Sequence, residues 1–201
     1  MFKSGECLTA SVTPHVQYSS SVGVLGCKID TNRVAYWPKP VDCNDICLRL
    51  TQGDRTLHLL HADQSGGAFD VSYDAWNFLG FGSSALSDPQ VGGGILMDYE
   101  FVHASNCEHL LQGDLLPLSA SNSMNFLFSC FEKPTSWVSQ NFLLYNIQDP
   151  TCHFGWDELC HVDPGVSNQP FCPHALGTVD QELNIAVHNI AYGSGSVVSA
   201  R

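Results

Sequence analysis

Two aspartates, Asp63 and Asp70, stand on either side of Gly66-Gly67 in the stretch HADQSGGAFDVSYDAWNFLGFG, residues 61 to 82. Carboxylates beside such a turn suit three kinds of work. They transfer protons as a general acid and base, line a binding groove, or accept hydrogen bonds from the N–H groups of the turn and the helix that follows. Asp63 ends an alternating run just before the glycines, so hydrogen bonding of the turn is its expected task. Asp70 precedes a short helical pattern, where unpaired N–H groups favour a carboxylate. A proton-donating role would further require burial beside Phe69 or Trp76. Asp42 and Asp45 flank Cys43 and are the remaining candidates for a partner base.

Other chemistries find less support. His58, His61 and Asp63 form an HxxHxD string, but on a strand His58 and His61 point to opposite faces, so no shared metal is expected. His153, His161 and His174 lie in a Pro- and Cys-rich region and read as surface residues. No serine sits in a G-x-S-x-G elbow. The nine cysteines, at 7, 27, 43, 47, 107, 130, 152, 160 and 172, lack a paired C-x-x-C signature and read as a disulfide framework rather than a zinc site. Cys7, in a weakly patterned segment, is the expected odd thiol. The triple glycine at 92–94 opens no helix and carries no lysine, which excludes a phosphate loop. No cofactor is implied. Tyr36, Trp37 and Tyr73 are candidate platforms for a sugar ring, whereas Trp76, on the short helix, is assigned to the core.

These side chains need strands to position them. RVAYW (33–37), ICLRLTQ (46–52) and RTLHLLHAD (55–63) alternate or carry β-branched and aromatic residues, and Gly53-Asp54 joins the last two as a hairpin. Ser72 is a suitable N-cap for the helix YDAWNFLG, which Gly80 and Gly82 end. ILMDYEFV (95–102) is a further strand, CEHLLQ a short helix, and NFLLYNI (141–147), NIAVHNIAY (184–192) and SVVSA (196–200) read as strands.

With 201 residues the chain can bury a full core, and 44% hydrophobic against 14% charged residues describes a folded protein. Eight basic and 20 acidic residues give a formal charge of −12, which excludes binding to a phosphate backbone or an anionic membrane surface through lysine and arginine. A neutral polysaccharide or a cationic partner suits this surface. No stretch approaches a membrane span, no signal peptide is visible at MFKSGECLTASVTPHV, and no N-glycosylation sequon occurs. The cysteine content nevertheless points to a mature, secreted, extracellular form.

The succession LHLLHAD, GGAFDVSYDAWNFLG and GGGILMDYEFV resembles the double-psi β-barrel of the barwin and expansin group, whose relatives include family-45 endoglucanases, loosenins and RlpA-like proteins. In general look the chain is similar to small secreted fungal proteins of that group. The resemblance spans residues 27–107. It implies a mainly β fold: a six-stranded double-psi barrel over 27–107, with short helices. Residues 1–26 are left as an N-terminal arm or edge strand and 108–201 as a Cys-rich C-terminal extension packed on the barrel in one globular unit.

In the endoglucanases of the group the aspartate matching Asp70 protonates the leaving glycosidic oxygen, and expansins keep it without hydrolysing glycan. Hydrolysis needs a second carboxylate at a fixed separation. The endoglucanases place it directly after a Tyr-Trp pair; here Pro38 follows Tyr36-Trp37, and Asp42 comes five residues after Trp37. The expectation is therefore a monomeric, non-hydrolytic protein that binds cell-wall polysaccharide or a host target through a groove near Asp70, lined by Tyr36, Trp37, Asp63 and Tyr73, as an effector or elicitor. The alternatives are a β-glucan hydrolase with Asp70 as acid and Asp42 or Asp45 as base, and a protease inhibitor acting through the loops of 148–173.

Overall fold

Alternation of apolar and polar side chains writes the first half of the molecule as strands, and a computed structural model, which describes residues 7–200, shows how they close. Six strands form one barrel: β1 (Leu8–His15), β2 (Val34–Trp37), β3 (Cys47–Gln52), β4 (Arg55–Gln64), β5 (Phe69–Ser72) and β6 (Ile95–Val102). Their order around the wall is β1-β5-β2-β4-β3-β6, with β6 pairing back to β1. β1 runs parallel to β5 and β2 parallel to β4, while the other pairs are antiparallel, so the barrel is mixed. The mainly β architecture with a closed six-stranded barrel, short helices and disulfides matches the expected fold class.

Period-two geometry sorts each strand into an inner and an outer set. Val12, Ala35, Trp37, Leu48, Leu50, Leu59, Val71 and Met97 fill the interior together with Trp76 and Leu79. The latter two come from helix α1 (Tyr73–Phe81), which follows β5 without a loop. Gly82, at φ 85°, ends that helix with its N–H on the Phe78 carbonyl, whereas Gly80 lies inside it. Ser72 does not cap the helix through its side chain; its Oγ accepts from the Val34 N–H instead, at 3.3 Å.

The barrel begins earlier than the resemblance implied. The segment assigned to an arm or edge strand contributes β1, hydrogen-bonded on both sides, with Ala10 and Val12 buried. Its serines and threonines take the outward positions, which hides a strand behind a polar composition.

Outward-facing Val34, Tyr36, Leu60 and Ala62 join a second core with Tyr18, Val24 and Leu25 and with the C-terminal half. That half holds a three-stranded sheet of β7 (Leu116–Ser119), β8 (Phe142–Ile147) and β9 (Gly155–Cys160), helices α2 (Met124–Phe131) and α3 (Trp137–Gln140), and the small pair β10 (His188–Ile190) and β11 (Val197–Ser199). β10 is shorter than the expected run from 184. CEHLLQ lies mostly within a 3-10 segment, Ala104–Leu110. Four disulfides hold this layout: Cys27–Cys152 and Cys43–Cys130 tie the extension to the barrel side, Cys47–Cys107 anchors β3, and Cys160–Cys172 closes a loop. Cys7 is free and exposed, as expected.

Where β9 crosses β8, Gly155 has φ 116° and a Cβ placed there would stand 2.3 Å from the Asn146 carbonyl oxygen. Gly155→Ala is therefore expected to cost roughly 2 kcal/mol, read as a lowered Tm with an unchanged far-UV spectrum.

Candidate functional site

Strand register places four side chains in one row across the outer wall. Thr13 pairs with Asp70, Asp70 with Tyr36, and Tyr36 with Asp63, running over β1, β5, β2 and β4. Their sequence neighbours Val12, Val71 and Ala35 point inward, so the row points out. The Thr13 hydroxyl donates to the half-buried Asp70 carboxylate. Asp63 accepts from the Ser19 hydroxyl and from the N–H groups of Ser21 and Gln64, at 2.9 and 2.8 Å for the two amides. Asp63 thus secures the segment ahead of β2 rather than the Gly66-Gly67 turn alone. Between the two carboxylates lies Tyr36, with the His15 ring 4.1 Å from its own. Burial drives the Tyr36 phenol well above the ordinary tyrosine range, with the Asp63 charge adding to it and a main-chain contact at Ser19 opposing it. Tyr18 shifts the same way, through burial first and then Tyr36 and Asp63.

The expected sugar platform is not open to solvent. Tyr36, Trp37 and Tyr73 are 3%, 1% and 2% exposed. Trp37 turns into the barrel, edge-on to Phe69 and Tyr99 at 5.1 Å each. Tyr36 faces outward but is covered by the second core. Tyr73 spends its hydroxyl on the Gln90 carbonyl, 2.7 Å away, and on the Gly193 N–H. One-strand alternation could not foresee that a distant layer closes over the outer face.

The candidate bases sit away from Asp70. Asp42 accepts from the N–H groups of Asn44 and Asp45 and pairs with Lys133 at 3.4 Å. Partial burial alone would raise its carboxyl, but those hydrogen bonds and Lys133 outweigh it and hold the group below the usual range. Asp45 is exposed and pairs with Lys39 at 3.3 Å. Both precede β3, which is three strands from β5 whichever way the six-stranded ring is followed. The structure does not bring Asp70 together with Asp42 or Asp45.

The histidines separate as the strand period requires. His58 lies opposite exposed Arg49 and near His109, and partial burial, His109 and Arg49 lower it. His61 points inward, is 1% exposed, and has no hydrogen-bond partner among the described residues on either ring nitrogen. Among the described residues no group of three His, Cys, Asp or Glu side chains is placed to hold a metal ion. His153, His161 and His174 are at the surface, and His174 stacks on Trp156 with 3.8 Å between ring centroids. Within the loop closed by Cys160–Cys172, Val166 and Phe171 are exposed.

Thr13, His15 and Ser19 are the site residues that sequence reasoning missed. For Thr13 and His15 the signal was the alternation through ASVTPH, readable once the segment is granted two strand neighbours; Ser19 lies beyond that run and carries no local signal. Comparison with family models, with curated proteins and with solved structures finds no match. No helix among the described residues is long and apolar enough to cross a membrane.

Proposed function

We propose that this chain is an extracellular, non-hydrolytic polysaccharide-binding protein of the double-psi barrel type, and that the half-buried end of the outward row, Asp70 with Thr13, is its contact surface. One observation carries the reading. Asp70 is a half-buried carboxylate held by Thr13, while the other candidate carboxylates are taken up by structural partners or lie across the barrel. A carboxylate so held offers a fixed acceptor for sugar hydroxyls, and neither Asp42 nor Asp45 is placed to activate water beside it as glycoside cleavage demands. The mixed closed barrel is compatible with double-psi topology, four disulfides suit an oxidising compartment, and a charge of −12 favours a neutral polymer over an anionic one.

The test compares wild type with Asp70→Asn on microcrystalline cellulose and on an insoluble β-1,3-glucan. Losing one charge-assisted hydrogen bond is expected to weaken binding about tenfold. Neither protein should release reducing ends. Released sugars that vanish in the variant would establish the hydrolase instead, and equal binding by both proteins would remove Asp70 from the site.

A further inference from the structure

A cleft of about 780 Å³ opens between the C-terminal end of β6 and α3, where the barrel meets the extension. That volume lies within the usual range for small-molecule sites, about 300–1,000 Å³. Phe101 and the edge of the largely buried Trp137 form its apolar wall. Asp45 and Glu100 also line it, but each carboxylate already has a cation: Lys39 on Asp45 and Arg49 on Glu100. The Lys39 ammonium stands 3.8 Å over the Phe101 ring as well. The charges cancel in place, so the cleft offers nothing to an ionic ligand that water does not.

Three of its amide side chains are fixed at one end and unpartnered at the other among the described residues. Asn44 Oδ1 accepts from the Trp137 N–H at 2.9 Å, leaving its amide nitrogen without a partner among the described residues. Gln140 Nε2 donates to the Pro134 carbonyl at 3.1 Å, and Asn141 Nδ2 donates to the Trp137 carbonyl at 2.8 Å; each leaves its side-chain oxygen without a partner among the described residues. The Thr135 hydroxyl, on the same wall, makes no hydrogen bond to the described residues either. Immobilised donors and acceptors carry little ordering cost when a ligand arrives. Hydroxyl groups, which both donate and accept, satisfy such a mixture, and the C–H face of a pyranose covers an aromatic ring.

We propose that this cleft is a binding site for a neutral oligosaccharide, separate from the Asp70 row. The cleft is lined by the residues ahead of β3, the end of β6 and the segment around α3, and it shares no lining residue with the row of Thr13, Asp70, Tyr36 and Asp63. A protein with both could hold two glycan segments at once.

The full chain, labelled with 15N, is titrated separately with cellohexaose, laminarihexaose and chitohexaose at millimolar concentration. Saturable shifts are expected for at least one of them at residues 44–45, 100–102 and 135–141. Thr135 and Gln140 are exposed, so the double variant Thr135→Ala/Gln140→Ala keeps the fold and should bind roughly tenfold more weakly. Thr135→Trp, which fills the mouth, should abolish the shifts, and Asp70→Asn should leave them unchanged. The inference is overturned if no hexasaccharide shifts those residues, if both cleft variants bind as wild type does, or if Asp70→Asn removes the response.

Discussion

Replacing Cys47 and Cys107 together by alanine is expected to lower the unfolding free energy by about 4 kcal/mol, the chain-entropy value for a loop of this length. The pair is 60 residues apart in sequence, joins β3 to the segment after β6, and is fully buried on both sides. Two further terms push the cost upward, because alanine leaves a void where two sulfur atoms packed and the Cys107 end also borders β4. Cys160 and Cys172, only 12 residues apart, should cost less, about 3 kcal/mol on the same reasoning. Cys7→Ser, at an exposed free thiol, should move stability by no more than about 0.5 kcal/mol. Guanidinium unfolding of the three proteins at matched slopes reads the ordering directly. Equal losses for the long and short loops would mean that the disulfides act through local packing and not through the unfolded chain.

Most of the barrel was legible because its strands carry their own signature. In RTLHLLHAD and ILMDYEFV the alternation, with the turn at Gly53, fixes both the element and its inward face without help from the rest of the chain. The first strand was legible only as an arm or edge strand, since LTASVTPH places small and polar residues outward and shows only Ala10 and Val12 as buried apolar positions. Its identity comes from two neighbours far along the chain, β5 and β6, and no local pattern encodes them. The same nonlocality explains the site. Asp70 was singled out from its motif, yet its partner Thr13 lies 57 residues away and becomes visible only when register is known. Tyr36 was an attractive platform because one face of a strand usually meets water; here the face is covered by Tyr18, Val24 and Leu25 and by the extension, whose sequence carries no familiar order. The cleft between β6 and α3 was beyond reach for that reason, being made of two regions that meet only in the fold.

His61 should make the protein lose stability as the pH falls from about 6.5 to about 4, and His61→Leu should remove most of that slope. The ring is buried in the barrel beside Phe101, with 5.8 Å between centroids, and neither nitrogen has a hydrogen-bond partner among the described residues. Burial brings it from 6.5 down to about 4, with Lys39 pushing the same way. The main-chain carbonyls of Asp45 and Asp63 and the Asp63 charge oppose that shift without completing a hydrogen bond to the ring.

The sign follows from proton counting. Between the two values the unfolded chain holds a proton on His61 that the folded chain refuses, so acid favours unfolding; below the folded value both states are charged and the loss stops. A difference of this size corresponds to about 3 kcal/mol across the window. His58 is lowered too and acts in the same direction, but it is common to both proteins and cancels in the comparison. At pH 7 leucine replaces two unsatisfied ring nitrogens with apolar surface, so the variant should start out no less stable than wild type. Urea unfolding of both proteins at pH 7, 5.5 and 4 gives the curves. If they run parallel, then water or a neighbour satisfies the ring in solution and His61 is not an acid-sensitive point in the barrel wall.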